Sequence, residues 1–200
     1  MTSHQQIVAA TPWIPNWHET GACMDRRHIL WLYRAIVAVA PQSSLEIGVH
    51  TGASSSAFLH AKVPNAHFCD ITSRECALRC IEGRGIFHSR PGWEVLRDRP
   101  AFDFVLVDGN HSEFAVGEEW EQLRQKPPAV IAVHDVNSTV AGFGACEGAH
   151  RLWENLQRDG WLCVVDAQRR PHEMTHRGAL IATRDPQKYA LIRQAWESTL

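Results

Sequence analysis

The sequence lacks a strong net charge and a long apolar run, and each absence excludes a class of protein. The formal net charge is -2 over 200 residues and the basic residues are dispersed, so no positive strip is present to neutralise nucleic-acid phosphates. The most apolar stretch, 29–40, is interrupted by Arg34 and ends before Pro41, well short of the roughly 20 residues that cross a bilayer. We therefore expect no nucleic-acid partner and no membrane segment.

Paired cysteines and a secretory signal are also missing. None of the six cysteines forms a Cys-x-x-Cys pair, the spacing typical of zinc ribbons and redox sites. The first six residues contain neither a charged segment nor an apolar run, so they do not resemble a signal peptide. These absences favour a cytoplasmic protein with free thiols.

Short apolar runs alternate with helical patterns along the chain, without an internal repeat. With 44% apolar residues in 200, the chain can bury one core, and we expect a single domain with a leader at 1–24 and a core at 25–200. Strands are predicted at 43–47, 67–71, 86–88, 102–107, 129–133, 161–165 and 178–182. Helices are predicted at 25–40, 53–61, 74–82, 113–124 and 149–156, and after Asp185-Pro186.

This order of elements predicts an α/β fold of the Rossmann-like type. Strands that alternate with helices pair in parallel through right-handed crossovers, whereas only about a dozen residues of turn chemistry separate the last two strands, which should form an antiparallel hairpin. We expect a three-layer αβα sandwich around a mostly parallel seven-stranded sheet. In such a sheet a ligand binds at the carboxyl ends of the strands, here between the first and the fourth.

Polar and glycine residues collect at that edge. The candidates are Glu46, Gly48 and Gly52 at the first strand, Asp70 at the second, Asp108 and His111 after the fourth, and His134 and Asp135 after the fifth. Because parallel strands end at the same edge, we expect these residues to line one cavity.

Four of these residues suit a nucleoside that carries an amino acid. Gly48 and Gly52 let the backbone approach a ligand closely, and the N–H groups of the following helix suit a carboxylate. Glu46 can meet an ammonium group through water. Asp70 lies about 20 residues beyond the glycine turn, the spacing at which a carboxylate accepts both hydroxyls of a ribose. A carboxylate, an ammonium group and a ribose together describe S-adenosylmethionine.

Two motifs resemble a known family. The run LEIGVHTG at 45–52 resembles motif I, E/D-x-G-x-x-x-G, of class I S-adenosylmethionine-dependent methyltransferases. The run FDFVLVDGNHS at 102–112, followed by VHD at 133–135, resembles the small-molecule O-methyltransferase branch that includes the family-24 and catechol-type enzymes. The resemblance implies transfer of the methyl group to a hydroxyl of a small-molecule acceptor.

The resemblance also implies how the acceptor is activated. In metal-dependent members an acidic residue after strand four and a pair after strand five bind magnesium, which lowers the pKa of the acceptor oxygen; the matching positions are Asp108, His134 and Asp135. A histidine departs from the usual carboxylate, so magnesium, manganese and a softer divalent cation such as zinc remain open. Without a metal, His111 or His134 is the candidate general base, because imidazole titrates close to neutral pH.

Three other functions compete with methyl transfer. A nicotinamide-dependent oxidoreductase prefers G-x-G-x-x-G, whereas Gly48 and Gly52 are four residues apart. A phosphate-binding loop needs Gly-Lys-Ser/Thr after the strand, and the sequence has none there. A non-catalytic protein that binds S-adenosylmethionine on the same fold stays an alternative.

The surroundings of the site are less defined. We expect the leader around 13–17 and a loop at 136–148 to flank the acceptor. The helix at 29–40 is apolar around most of its circumference, which suggests cover by a second copy of the chain in a homo-oligomer. No pattern indicates the chemical identity of the acceptor.

Overall fold

Seven strands and seven complete helices make up the described part of the chain. The computed structural model describes residues 9–14, 24–137, 146–167 and 178–199. The strands are β1 (Ser43–Ile47), β2 (Asn65–Cys69), β3 (Ile86–His88), β4 (Phe104–Val107), β5 (Val130–His134), β6 (Leu162–Asp166) and β7 (Ala179–Thr183). The helices are α1 (Arg26–Val39), α2 (Ser55–His60), α3 (Glu75–Ile81), α4 (Gly92–Asp98), α5 (Glu113–Gln125), α6 (Glu147–Arg158) and α7 (Pro186–Glu197).

The strands form one sheet in the order β3-β2-β1-β4-β5-β7-β6. Strands β1 to β5 pair in parallel, and β7 runs antiparallel to both β5 and β6. The predicted Rossmann-like sheet and its antiparallel C-terminal pair are therefore confirmed. The strand order reverses between β1 and β4, where Ile47 pairs with Val107, and this reversal opens a crevice at the carboxyl edge.

Each face of the sheet carries its own apolar core. Alternate residues of β4 enter opposite cores, since Phe104 and Leu106 pack with one cluster and Val105 and Val107 with the other. All four residues of β4 are buried, as expected for a strand covered on both faces. The two cores confirm the three-layer arrangement and hold the carboxyl ends of β1 and β4 in fixed positions.

Helix α1, the most apolar stretch of the sequence, is covered within the chain itself. Trp31 packs against Trp196 of α7, with ring centroids 4.7 Å apart, and its indole N–H donates to the carbonyl of Ile192. This packing explains much of the apolar circumference without a second copy, and the homo-oligomer stays a prediction. No helix in the described ranges is both long and apolar enough to span a membrane.

Some boundaries differ from the prediction. Strand β2 ends at Cys69 rather than at 71, so Asp70 is the first residue beyond the sheet. Helix α4 was not predicted, because it has only seven residues and begins directly after Pro91, where Pro-Gly indicates a turn. Helix α6 begins at Glu147, inside the segment predicted as a loop, while 138–145 lies outside the described residues.

Candidate active site

A cavity of about 450 Å³ lies at the carboxyl edge of the sheet, at the crossing of β1 and β4. Six predicted site residues line it: Gly48, Asp70, Asp108, His111, His134 and Asp135. Glu46 and Gly52 are not among its lining residues. The convergence of residues from four strands at one cavity is what the parallel topology predicts.

Close contacts within the chain explain why the turn at 48–52 contains two glycines. Gly48 has φ +91°, and a Cβ there would stand 2.2 Å from the carbonyl oxygen of Asp108, so only glycine lets β1 and β4 approach this closely. Gly52 has φ +82°, and a Cβ there would meet Cys80 of α3 at 3.3 Å. Gly48 therefore lines the cavity, whereas Gly52 turns towards α3.

Asp70 ties the glycine turn to the end of β2. Its Oδ2 accepts the backbone N–H of His50 at 2.9 Å, and its Oδ1 accepts that of Thr72 at 2.8 Å. His50 has φ +49°, a left-handed conformation that a non-glycine residue adopts only when its surroundings hold it. Each carboxylate oxygen has a second lone pair, so Asp70, at the cavity wall, can still accept from ribose hydroxyls.

Glu46 lies below the turn, fully buried beneath α2. Ser54, which lines the cavity, donates a hydrogen bond to its Oε1. Burial raises the pKa of Glu46 to about 8, although the bonds from Ser54 and Ser55 oppose this shift. Ser54 thus stands between Glu46 and the cavity, and the predicted contact of Glu46 with an ammonium group stays a prediction.

Two histidines and two aspartates form a connected cluster at the ends of β4 and β5. His134 Nδ1 lies 3.0 Å from Asp108 Oδ1 and 3.2 Å from Asp135 Oδ1. His111 Nε2 lies 3.0 Å from Asp135 Oδ2 and 3.8 Å from Asp108 Oδ1. Asp135 is 1% exposed and has φ +60°, a strained backbone of the kind that concentrates at functional sites.

The geometry groups one histidine with the two carboxylates as a possible cation site. Ligand atoms of Asp108, His111 and Asp135 all lie within 4.8 Å of one another, whereas the sequence pairs the carboxylates with His134. The His134 side chain is less exposed than that of His111, and its ring lies edge-on to His28 with centroids 5.7 Å apart. Two carboxylates with one imidazole fit a borderline cation such as manganese or zinc better than magnesium, which prefers oxygen ligands.

A buried ion pair lies next to the cluster and is linked to it through His28, whose ring packs against His134. Asp166 of β6 accepts from Arg27 Nη2 at 2.6 Å and lies 3.1 Å from His28 Nε2. Burial lowers the pKa of His28, and the nearby His134 lowers it further. These residues of α1 and β6 were not found from the sequence, where histidine and arginine inside an apolar helix give no sign of their partner.

Glu119 is a further cavity residue that the sequence analysis missed. It lies on α5, is 2% exposed and lines the cavity beside Gly92 of α4. Its spacing from Val116 and Leu123 places it on the predicted apolar face of that helix. A carboxyl on such a face was the available signal, because an ionisable group seldom faces a core without a partner.

Of the described leader residues, Met24 lines this cavity, whereas none of residues 9–14 does. Trp13 stacks on His60 with ring centroids 4.8 Å apart and an interplanar angle of 11°. Both residues line a separate cavity of about 680 Å³. Trp13 therefore does not form the predicted wall of the acceptor site, and 15–17 lies outside the described residues.

Comparisons with known proteins support the fold. No protein-family model matches the sequence, and no curated protein matches it either. An O-methyltransferase from Bacillus cereus in complex with SAH matches with a TM-score of 0.65 and 14% identity over 92% of this chain and 90% of that one. An O-methyltransferase from Streptomyces achromogenes involved in tomaymycin synthesis, in complex with SAM, matches with a TM-score of 0.65 and 16% identity over 92% of this chain and 89% of that one. A putative caffeoyl-CoA O-methyltransferase from Staphylococcus aureus matches with a TM-score of 0.61 and 12% identity over 92% of this chain and 93% of that one. At these identities the likeness shows a shared fold.

Proposed function

We propose that this chain transfers the methyl group of S-adenosylmethionine to a hydroxyl oxygen of a small-molecule acceptor. The observation that carries the proposal is the single cavity in which the Gly48 turn and Asp70 meet the cluster of Asp108, His111 and Asp135. Two proteins of the same fold are O-methyltransferases in complex with SAH and SAM, which supports the choice of donor.

The donor would lie along the edge of the sheet from β2 to β4. Asp70 accepts the ribose hydroxyls, and the backbone of the turn from Gly48 to Ser54 faces the amino-acid moiety. Free N–H groups at a helix start favour a carboxylate. This placement directs the sulfonium methyl group towards the ends of β4 and β5.

The acceptor would meet the methyl group at the cluster. Its oxygen attacks the methyl carbon, the carbon–sulfur bond breaks with its electron pair going to sulfur, and the hydroxyl proton leaves to a basic atom. His111 is the better placed of the two histidines, because its side chain is 15% exposed and that of His134 is 6% exposed. The protein contributes chiefly by holding oxygen, carbon and sulfur in line.

The cluster also fits a divalent cation. Asp108, His111 and Asp135 would hold it, and His134 would orient the two carboxylates through its Nδ1 contacts. A bound cation would lower the pKa of the acceptor hydroxyl and fix its oxygen. The same carboxylates fix the position of the His111 imidazole when no cation is present.

A ligand screen followed by a transfer assay tests the proposal. We expect SAM and SAH to raise the unfolding temperature and NAD to leave it unchanged, each with and without Mn²⁺, Mg²⁺ or Zn²⁺; saturation near 100 times Kd adds about 2.7 kcal/mol. SAH formation with phenols, sugars and amino-acid derivatives as acceptors then measures transfer. Stabilisation by NAD alone would overturn the proposal, and binding of SAM without transfer to any acceptor would favour the non-catalytic alternative.

A further inference from the structure

Glu119 places a carboxyl group in the cavity wall where α5 meets α4. It belongs to the face of α5 that packs on the sheet, beside the buried side chains of Val116 and Trp120. Glu119 is 2% exposed and lines the cavity together with Gly92 and Trp93 of α4. An ionisable group therefore interrupts an otherwise apolar face at the point where that face meets the cavity.

Among the described residues, this carboxyl group has no compensating neighbour. Its Oε2 has no hydrogen-bond partner among the described residues, and its Oε1 lies 2.9 Å from the position that a Cβ on Gly92 would take. Burial, with no opposing charge or hydrogen bond, raises the pKa of Glu119 to about 8. Because a buried polar group without a partner destabilises the fold, its position at a cavity wall points to a ligand.

The position of Glu119 along the cavity indicates which part of a ligand it would meet. The inference rests on the proposed function, in which Asp70 holds the ribose and the cluster holds the reacting end. Next to Asp70, Cys69 pairs with His88 at the end of β3. The segment 90–93 that follows β3 lines the cavity, and a Cβ on its Gly92 would lie 2.9 Å from Glu119 Oε1. With the amino-acid moiety at the turn from Gly48 to Ser54 and the methyl group directed to β4 and β5, the part of the cavity beside Glu119 is left for the base attached to the ribose.

We propose that Glu119 recognises the adenine base of the donor through the exocyclic amine and the adjacent ring nitrogen. Adenine presents an N–H donor beside an acceptor nitrogen on either of its polar edges. A neutral carboxyl group presents the complementary pair, a carbonyl acceptor and an O–H donor, in one plane. Glu119 is then a specificity residue for the donor, with no part in the transfer of the methyl group.

Two ligands and three variants test this pairing by calorimetry. The ligands are SAH and its 6-deamino analogue, in which a hydrogen replaces the exocyclic amine. The wild type should bind SAH about 10- to 100-fold more tightly than the analogue, because the analogue leaves the Glu119 carbonyl unpaired. Glu119→Gln keeps one donor and one acceptor and should retain this preference. Glu119→Leu should bind SAH about 10- to 100-fold more weakly and prefer it by less than about 3-fold.

Glu118→Leu is the matched control, since Glu118 is the exposed neighbour on the same helix. It should leave both affinities unchanged. Equal loss of both ligands in Glu119→Leu would show a merely structural role and overturn the inference. Equal binding of both ligands by the wild type would overturn it without any variant, while the methyltransferase proposal would stand. Failure of the wild type to bind SAH at all would remove the proposed function, and the inference with it.

Discussion

The two ends of the cavity bury carboxyl groups in opposite ways. At the ends of β4 and β5, Asp108 and Asp135 each contact two histidine rings, at distances between 3.0 and 3.8 Å. At α5, Glu119 is 2% exposed, close to the 1% of Asp135, but has no partner for its Oε2 in the described ranges. The aspartates at the first end are paired with histidines of the chain itself. The carboxyl group of Glu119 remains available to a ligand.

This difference separates two kinds of functional signal. A cluster whose members already contact each other needs no ligand to compensate its charges, so its role is revealed first by activity. A partnerless buried carboxyl costs free energy in the empty protein, so its role is revealed by ligand affinity and stability. The predictions below change one end at a time and ask which measurement responds.

The largest effect is expected from Asp135→Asn. Asparagine keeps the side-chain volume and tolerates φ +60°, but it removes the negative charge that faces His111 and His134. Steady-state assays should show that kcat for methyl transfer falls by at least about 100-fold, as expected when general-base or cation assistance is lost. SAH affinity, measured by calorimetry, should stay within about 3-fold, because Asp135 lies at the acceptor end.

Asp159→Asn, at an exposed position after α6, controls for loss of a charge. It should change neither kcat nor SAH affinity. If Asp135→Asn transferred methyl groups at the wild-type rate while binding SAH normally, the cluster would be a structural feature of the sheet edge.

A smaller effect is expected from Asp70→Ala, which removes the carboxylate that we propose binds the ribose of the donor. Loss of the contacts to ribose should weaken SAH binding by about 1 to 3 kcal/mol in calorimetry. The structure adds an effect on stability, since Asp70 also holds the backbone N–H groups of His50 and Thr72. Urea unfolding should therefore show a loss of roughly 1 to 2 kcal/mol.

Asp103→Ala separates these two effects. Asp103 also accepts two backbone N–H groups, those of Gln42 and Ser43 at 2.8 and 3.0 Å, but it lies at the opposite edge of the sheet. It should lose stability by a similar amount and bind SAH normally. If Asp70→Ala behaved like Asp103→Ala in both measurements, Asp70 would support the turn and have no contact with the ribose.

Topology explains how much of the site could be predicted from the sequence. Strands β1 and β3 were predicted with their observed bounds, and the N-cap Asp185 with the following Pro186 was confirmed by its bond from Gln187 N–H. Once the strands pair in parallel, their carboxyl ends must share an edge. Asp70, Asp108 and Asp135 therefore reach one cavity whatever the details of their loops.

The finer geometry depends on features that have no sequence period. His111 reaches Asp135 because the backbone at 135 turns to φ +60°, a conformation that the sequence does not signal at an aspartate. Glu119 lies beside the first residue of α4, Gly92, where a Cβ would stand only 2.5 Å from Ile47 and 2.9 Å from Glu119 Oε1, so glycine leaves the space for the carboxyl group. Since α4 itself was not predicted, the exposure of Glu119 to the cavity could not be inferred.

The last prediction concerns the pH dependence of stability, which changes by the smallest amount per step of one pH unit, and it tests the partnerless end in the empty protein. Glu119 has a pKa of about 8 in the folded chain against an ordinary value of 4.5, so between these pH values the unfolded chain loses a proton that the folded chain keeps. The stability associated with Glu119 is therefore complete below about pH 4.5 and is lost as the pH rises towards 8, by at most about 1.4 kcal/mol per unit.

Glu119→Gln cannot titrate, so urea unfolding between pH 5 and 8 should show its advantage over the wild type growing with pH. Histidines with lowered pKa values, such as His28 and His88, oppose this trend equally in both proteins and cancel in the difference. Glu118→Gln should give a curve parallel to the wild type, and a parallel curve for Glu119→Gln would mean that Glu119 is ionised, and therefore paired, in the folded protein.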